Sequence, residues 1–127
     1  MRRHQPGWVI GNVFLLTKRY SESDKIIEEG LQRRPDSAFG RFLMGCVHSR
    51  IGKFDEAEKD LREALRLDPT MSQAYLQLVN LYLQQNRRED AITELQAFLK
   101  AFPNAPAVTK ANEVLHRLQG EVRSAHP

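Results

Sequence analysis

Cysteine is almost absent from this chain of 127 residues, which contains only Cys46. One thiol excludes an intrachain disulfide framework and a cysteine-based metal site, since both need several cysteines. This usage favours a reducing compartment, and we expect a cytoplasmic protein. Long apolar runs are also missing, because the best one, residues 8–16, is about half as long as a membrane-spanning helix. No small-residue cleavage site follows it, so we predict neither a membrane segment nor a signal peptide.

A clear excess of charge of one sign is missing too. The 19 lysines and arginines and the 16 aspartates and glutamates are interspersed, and the net charge is only +3. The basic pairs Arg33–Arg34 and Arg87–Arg88 lie close to acidic residues and have no aromatic residues interleaved with them. Nucleic-acid surfaces usually combine clustered cations with such aromatics. We therefore expect no nucleic-acid partner.

Recognisable catalytic patterns are absent as well. The four histidines show no HExxH spacing, there is no glycine-rich phosphate loop, and no Ser-His-Asp motif can be traced. The sequence therefore predicts no enzyme, no metal site and no cofactor. A small enzyme that uses His48 or Cys46 is the weakest alternative. We interpret His48 as a packed histidine and Cys46 as a small wall or core residue.

What the sequence does contain is an internal repeat. Pro35, Pro69 and Pro103 are spaced by 34 residues, and a leucine precedes each of them by four positions. A fixed period of this size is typical of stacked repeat proteins. Each repeat reads as two amphipathic helices, with apolar residues at spacings of three and four.

Local signals mark where these helices begin and end. Gly52 and Asn86 tolerate the left-handed backbone that ends a first helix. Each repeat proline stops a second helix, because it lacks an amide donor and restricts the preceding residue. We predict Asp55 as a cap of a second helix, and Ser37 and Thr70 as caps of first helices. An acidic run that includes Asp60 lies at the start of the same second helix, where we expect it to favour the helix dipole and to face water.

These residues resemble the tetratricopeptide repeat family, whose unit has 34 residues and conserves small, aromatic and proline positions. The resemblance implies an all-α, right-handed α-solenoid of three helix-turn-helix repeats plus a C-terminal capping helix. Phe98 departs from a small residue in the family pattern, and we expect it to fill space beside the capping helix. The middle repeat matches best, with Gly45, Gly52, Phe54, Ala57, Leu61, Ala64 and Pro69.

The predicted domain organisation follows from the period. We expect a single domain over residues 1–120 and a flexible tail over 121–127. Within the domain, the repeats cover about 4–37, 38–71 and 72–105, and the capping helix covers 106–120.

The resemblance also implies where a partner binds. In this family the first helices line a concave groove, so we predict a scaffold or adaptor that holds a peptide segment of a partner protein there. Aromatic and leucine side chains would bury apolar peptide groups, while asparagines would hydrogen-bond the peptide backbone. The simpler alternative is that the aromatics are core residues and the amides are solvated. The predicted groove residues are Trp8, Asn12, Phe39, Phe42, Cys46, Gln73, Leu76 and Asn80.

The groove residues also bear on whether the partner is an acidic C-terminus. Some family members bind acidic C-termini of chaperones through groove cations, whereas Trp8, Phe42 and Gln77 stand at those positions here. A receptor for carboxylate tails is therefore not expected.

The alternative function is a terminal repeat module of a larger protein, which selects substrates or directs assembly. Such a module could form a homodimer through the apolar edge of the first helix, made of Trp8, Val9, Val13 and Leu16.

Overall fold

The chain is described by a computed structural model that covers residues 20–125. Helices are the only regular elements among these residues, so the described part is all-α, as predicted. The helices are α1 Tyr20–Arg33, α2 Ala38–Arg50, α3 Phe54–Leu67, α4 Ser72–Gln84, α5 Arg88–Ala101 and α6 Val108–Ala125.

The sequence period reappears in the helix boundaries. Helices α1, α3 and α5 begin at Tyr20, Phe54 and Arg88 and have 14 residues each, while α2 and α4 have 13. Each of the longer helices ends two residues before a repeat proline. The prolines therefore stop the second helices as predicted. α2–α3 and α4–α5 are complete helix pairs, and α1 lies within the predicted first repeat.

The turns inside the two complete repeats have the same geometry. Gly52 and Asn86 adopt positive φ angles of 82° and 60°. In each turn the next residue donates its amide to a carbonyl five positions back, from Lys53 to His48 and from Arg87 to Tyr82, both at 2.8 Å. The prediction that these two residues end the first helices in the left-handed conformation is confirmed.

The predicted caps are only partly correct. Ser37 caps α2, since its Oγ accepts the amide of Gly40 at 3.0 Å. Asp55 is not a cap, because α3 already begins at Phe54 and the carboxylate lies in the first turn, where it favours the helix dipole. Thr70 is not a cap either, since its hydroxyl donates to Asp68 and α4 starts two residues later.

The end of the chain differs from the prediction. The capping helix α6 begins at Val108 and continues to Ala125, so the prediction of a flexible tail is wrong for residues 121–125. Gly120 does not end the helix, because a glycine inside a helix costs only about 1 kcal/mol relative to alanine. The carboxylate of Glu121 also accepts a bond from Arg88 Nε of α5 at 2.9 Å. Residues 126 and 127 lie outside the described range.

Helix packing divides the chain into two compact units, Met1–Thr70 and Met71–Pro127. In unit 1, α2 packs against both α1 and α3, and in unit 2, α5 packs against both α4 and α6. The division after Thr70 falls one residue before the predicted boundary between the second and third repeats. The continuity of residues 1–120 as one domain and the handedness of the stack remain predictions.

A close helix crossing organises the core of unit 1. A Cβ atom added at Gly45 of α2 would lie 2.8 Å from Leu61 Cγ and 3.3 Å from the carbonyl oxygen of Ala57, both on α3. Ala57 and Leu61 are completely buried. The small residues of the repeat pattern therefore let these two backbones approach each other. The other side of α2 buries its apolar residues against Ile27 and Leu31 of α1.

Candidate functional site

Three of the predicted groove residues lie on one face of α2. Phe39, Phe42 and Cys46 follow one another at spacings of three and four residues, which places them in a row along the helix. Their exposure decreases along that row: Phe39 is 41% exposed, Phe42 is half-buried and Cys46 is buried. The accessible part of this face is therefore its N-terminal end.

The two phenylalanines form a stacked pair. Their ring centroids are 6.3 Å apart and the rings are inclined by 23°. Phe42 also packs against the buried cluster that α1 and α2 share. Phe42 is thus partly a core residue, which is the alternative that the sequence left open for the aromatics. Phe39 is the exposed partner, and it extends the apolar surface outward from the core.

Cys46 does not offer a reactive thiol. It is 7% exposed, and burial raises the pKa of the thiol to about 12, although the nearby charge of Arg50 opposes this shift. A thiol with so high a pKa stays protonated near neutral pH and is a poor nucleophile. Cys46 is therefore a small buried residue on the same face of α2 as the two phenylalanines.

A second set of predicted groove residues lies on α4 in unit 2. Gln73, Leu76 and Asn80 are again spaced by three and four residues. Gln73 and Asn80 are exposed and Leu76 is half-buried. This face therefore offers two amide side chains beside one aliphatic side chain. Each amide has both donors and an acceptor, which matches a peptide backbone.

The remaining two predicted groove residues, Trp8 and Asn12, lie outside the described residues. The apolar edge formed by Trp8, Val9, Val13 and Leu16 lies there as well. What was predicted from these positions stays a prediction.

Sequence reasoning missed a polar contact in unit 1. His48 of α2 binds Asp60 of α3, with 2.6 Å between Nδ1 and Oδ2. The sequence interpretation placed Asp60 in a run of carboxylates that faces water, whereas its side chain is only 13% exposed. His48 is itself mostly buried, which agrees with a packed histidine. The spacing of twelve residues fits no single-helix rule, so only the repeat register could have suggested this pair.

A broad cleft of about 990 Å³ follows α3 on another side of unit 1. Its lining mixes charges of both signs, and Glu63 and Arg66 within it pair with each other. Because opposite charges already neutralise one another there, the cleft does not favour a ligand of either sign. It is lined by Arg41, Asp55, Glu58, Lys59, Asp60, Arg62, Glu63 and Arg66.

Comparison with known proteins agrees with this architecture. Residues 52–113, which cover α3 to the first turns of α6, match the sequence profile of the tetratricopeptide repeat. The chain belongs to the tetratricopeptide repeat family. The matched residues include the complete helix pair α4–α5. The assignment of α2 and α4 as first helices stays a prediction.

The related curated proteins are much longer than this chain. The Hsp70-Hsp90 organizing protein of Triticum aestivum is 28% identical over 94 residues, which cover 74% of this chain and 16% of that protein. Anaphase-promoting complex subunit 7 of Arabidopsis thaliana is 32% identical over 87 residues, which cover 68% of this chain and again 16% of the relative. The chain thus spans about one sixth of either relative.

Two solved structures share the fold. The TPR2B domain of yeast Sti1, solved in a complex named for pHsp70, superposes with a TM-score of 0.81 at 17% identity, covering 91% of this chain and 94% of that one. The type III secretion translocator chaperone SycD of Yersinia enterocolitica gives 0.83 at 12% identity, covering 92% and 83%. At such identities the likeness concerns the fold alone.

Two further features, a membrane-spanning helix and a metal-binding group, are absent from the described residues. None of the helices within residues 20–125 is long and apolar enough to cross a membrane. In the same range, no group of three or more histidine, cysteine or acidic side chains is arranged to hold a metal ion.

Proposed function

We propose that this protein is a non-catalytic interaction module that binds a peptide segment of a partner protein on its first helices. The main support for this proposal is the aromatic pair on α2, in which Phe39 is 41% exposed and stacks on the half-buried Phe42. A large exposed aromatic residue costs solubility, and it marks an interaction site when it extends an apolar surface. The amide-bearing face of α4 is the second proposed contact surface.

The chemistry of the two faces suggests what the peptide contributes. Aromatic side chains bury much area at little entropic cost, and they are frequent among residues that dominate binding energy. We infer that Phe39 and Phe42 receive an aliphatic or aromatic side chain of the peptide. Asn80 and Gln73 can pair with peptide N–H and C=O groups, which keeps the backbone hydrogen-bonded as water leaves.

The proposed peptide is apolar rather than an acidic tail. Structures similar in fold include the first TPR domain of Spaghetti (RPAP3), bound to the HSP90 peptide SRMEEVD, with a TM-score of 0.79 at 20% identity. In the present chain, Phe42 and Gln77 occupy positions where the family's carboxylate-binding members carry cations. Without those cations an acidic C-terminus would lose charge-assisted hydrogen bonds. We therefore expect SRMEEVD to be a poor ligand.

Replacing Phe39 with alanine is expected to weaken peptide binding by about 1–2 kcal/mol, which is roughly a 5- to 30-fold increase in Kd. Asn80→Ala should weaken binding of the same peptide by about 1 kcal/mol. The probe is a peptide selected on the full chain from a random display library, and its Kd is measured by fluorescence anisotropy. Lys59→Ala, on the exposed surface of α3, is the control and should leave Kd unchanged.

Phe39 is a better test than Phe42, because Phe42→Ala would also remove a contact of the core. The helix content of each variant is checked by circular dichroism. The proposal is wrong if Lys59→Ala weakens binding as much as Phe39→Ala, or if SRMEEVD binds as tightly as the selected peptides. Failure to select any peptide would contradict it as well.

Self-association is a second candidate function, favoured by one observation. SycD has been solved as an alternative dimer, in a structure with a TM-score of 0.83 and 13% identity to this chain. We propose that Trp8, Val9, Val13 and Leu16 form the dimer interface of this chain. We also propose a cytoplasmic location, which the single cysteine favours. If the chain dimerises, the sedimentation coefficient of the full chain should rise with concentration, and Trp8→Ala should abolish the rise. A concentration-independent monomer would exclude this candidate.

A further inference from the structure

Unit 1 contains a cluster of three titratable side chains, one from each of its described helices. His48 of α2 lies between Asp60 of α3 and Asp24 of α1. Its Nδ1 is 2.6 Å from Asp60 Oδ2, and its Nε2 is 3.9 Å from Asp24 Oδ1. The side chains of His48 and Asp60 are each 13% exposed. The imidazole is thus the group that links α1 to α3 through α2.

The arrangement of the two carboxylates favours the protonated form of the ring. Neutral imidazole has one N–H group, and the short contact with Asp60 uses it at Nδ1. The Nε2 lone pair would then face Asp24 Oδ1, a buried oxygen for which the described structure shows no hydrogen-bond partner. Two acceptors would face each other, which is unfavourable. Imidazolium has an N–H group at each nitrogen and a positive charge, so it donates to Asp60 and attracts the Asp24 carboxylate 3.9 Å away.

On balance, the charged groups around the ring favour its protonated form. The hydrogen bond to Asp60 is the main reason why the pKa of His48 is raised above 6.5, and the charges of Asp60 and Asp24 add to it. Burial of the ring and the charge of Lys53, in the turn between α2 and α3, oppose the shift. Among the described residues, the carboxylates of α1 and α3 outweigh the cation of the turn.

We propose that His48 is a pH-dependent clasp that holds α1 and α3 onto α2 while its ring is protonated and loosens α1 as the pH rises. The sign follows from linkage between protonation and stability. Because folding raises the pKa of the ring, the contribution is fully present below the unfolded value of about 6.5. It disappears as the pH rises through the higher folded value. The clasp is a regulatory property of unit 1 and does not depend on the proposed peptide site.

Unit 2 provides an internal comparison. Tyr82 and Glu94 occupy the same register positions as His48 and Asp60, 34 residues later, and both are buried. A tyrosine keeps its proton through the range in which a histidine titrates. Unit 2 therefore has a non-titrating aromatic residue where unit 1 has the clasp. His48→Tyr installs the residue of unit 2 and should fold, since the repeat already accommodates tyrosine at that position.

The first test is hydrogen–deuterium exchange of the full chain between pH 6 and pH 9, analysed as protection factors for each helix. We expect protection of Tyr20–Arg33 in the native chain to fall several-fold with rising pH, relative to protection of α4 and α5. In His48→Tyr this pH-dependent difference should vanish. Equal pH profiles of α1 in the native chain and the variant would overturn the proposal.

The second test can be decided on the native chain alone. The imidazole resonance of His48 is titrated by NMR in the native chain and in the urea-unfolded chain, with Asp60→Asn as the comparison. We expect native His48 to titrate at a higher pH than unfolded His48, and Asp60→Asn to lower the native midpoint. A native midpoint equal to or below the unfolded one would show that the ring is not held as a cation.

Discussion

Replacing Ala57 with arginine is expected to unfold unit 1, the largest effect that we predict for a single substitution. Ala57 is completely buried on α3, and its carbonyl oxygen lies at the close crossing with Gly45 of α2. An arginine there must either overpack the crossing or bury its charge without a partner. Burial of an unpaired ion costs several kcal/mol even after relaxation. Since typical domains have only about 5–15 kcal/mol of stability, we expect most of the helical signal of unit 1 to be lost.

The measurement is hydrogen exchange by mass spectrometry at 25 °C, which reports each helix separately. Ala57→Arg should remove protection from α2 and α3. Lys59→Arg is the matched control, since it places an arginine on the exposed side of the same helix and should change nothing. Retention of native protection in α2 and α3 of Ala57→Arg would mean that the two helices do not cross as closely as described.

Phe98→Ala is expected to destabilise unit 2 by about 3–5 kcal/mol, the usual range for removing a buried phenylalanine. Phe98 of α5 is 1% exposed and contacts Phe102 with 5.5 Å between ring centroids. The ring of Phe102 in turn meets Tyr75 of α4 edge-on at 5.7 Å. Truncation would leave a cavity beside α5. Because α5 packs on both α4 and α6, we expect all three helices to lose stability.

Phe39→Ala is the control for this second substitution, because it makes the same chemical change at a side chain that is 41% exposed. Urea unfolding followed by circular dichroism gives both free energies of unfolding. We expect a loss below about 1 kcal/mol for Phe39→Ala, in line with its partial burial. Similar losses for the two variants would contradict the assignment of Phe98 to the core and Phe39 to the surface.

The sequence predicts those features of the fold that depend on local chemistry or on the repeat itself. Gly52 and Asn86 were expected to be left-handed because few other residues tolerate that backbone, and both are. The prolines were expected to stop helices because they lack an amide, and they do so in each repeat. Asp55 and Thr70 were misassigned as caps, since helix ends are set by packing as well as by capping preference.

The site was harder to predict, because it depends on contacts between helices. Periodicity placed Phe39, Phe42 and Cys46 on one face of α2, but it carried no information on their very different burial. Asp60 was expected to face water because it lies in an acidic run, yet it pairs with a histidine of another helix. Such cross-helix pairs leave no mark on the amphipathic pattern of either helix.

The measurement that tests the proposed function most directly is amide chemical-shift mapping of the full chain during titration with a peptide selected by display. We predict that shifts concentrate on the first helices, around Phe39 and Phe42 of α2 and around Leu76 and Asn80 of α4, while the exposed sides of α3 and α5 stay unchanged. Shifts confined to the charged cleft along α3 or to α5 would contradict it, because the partner would then be held by the second helices.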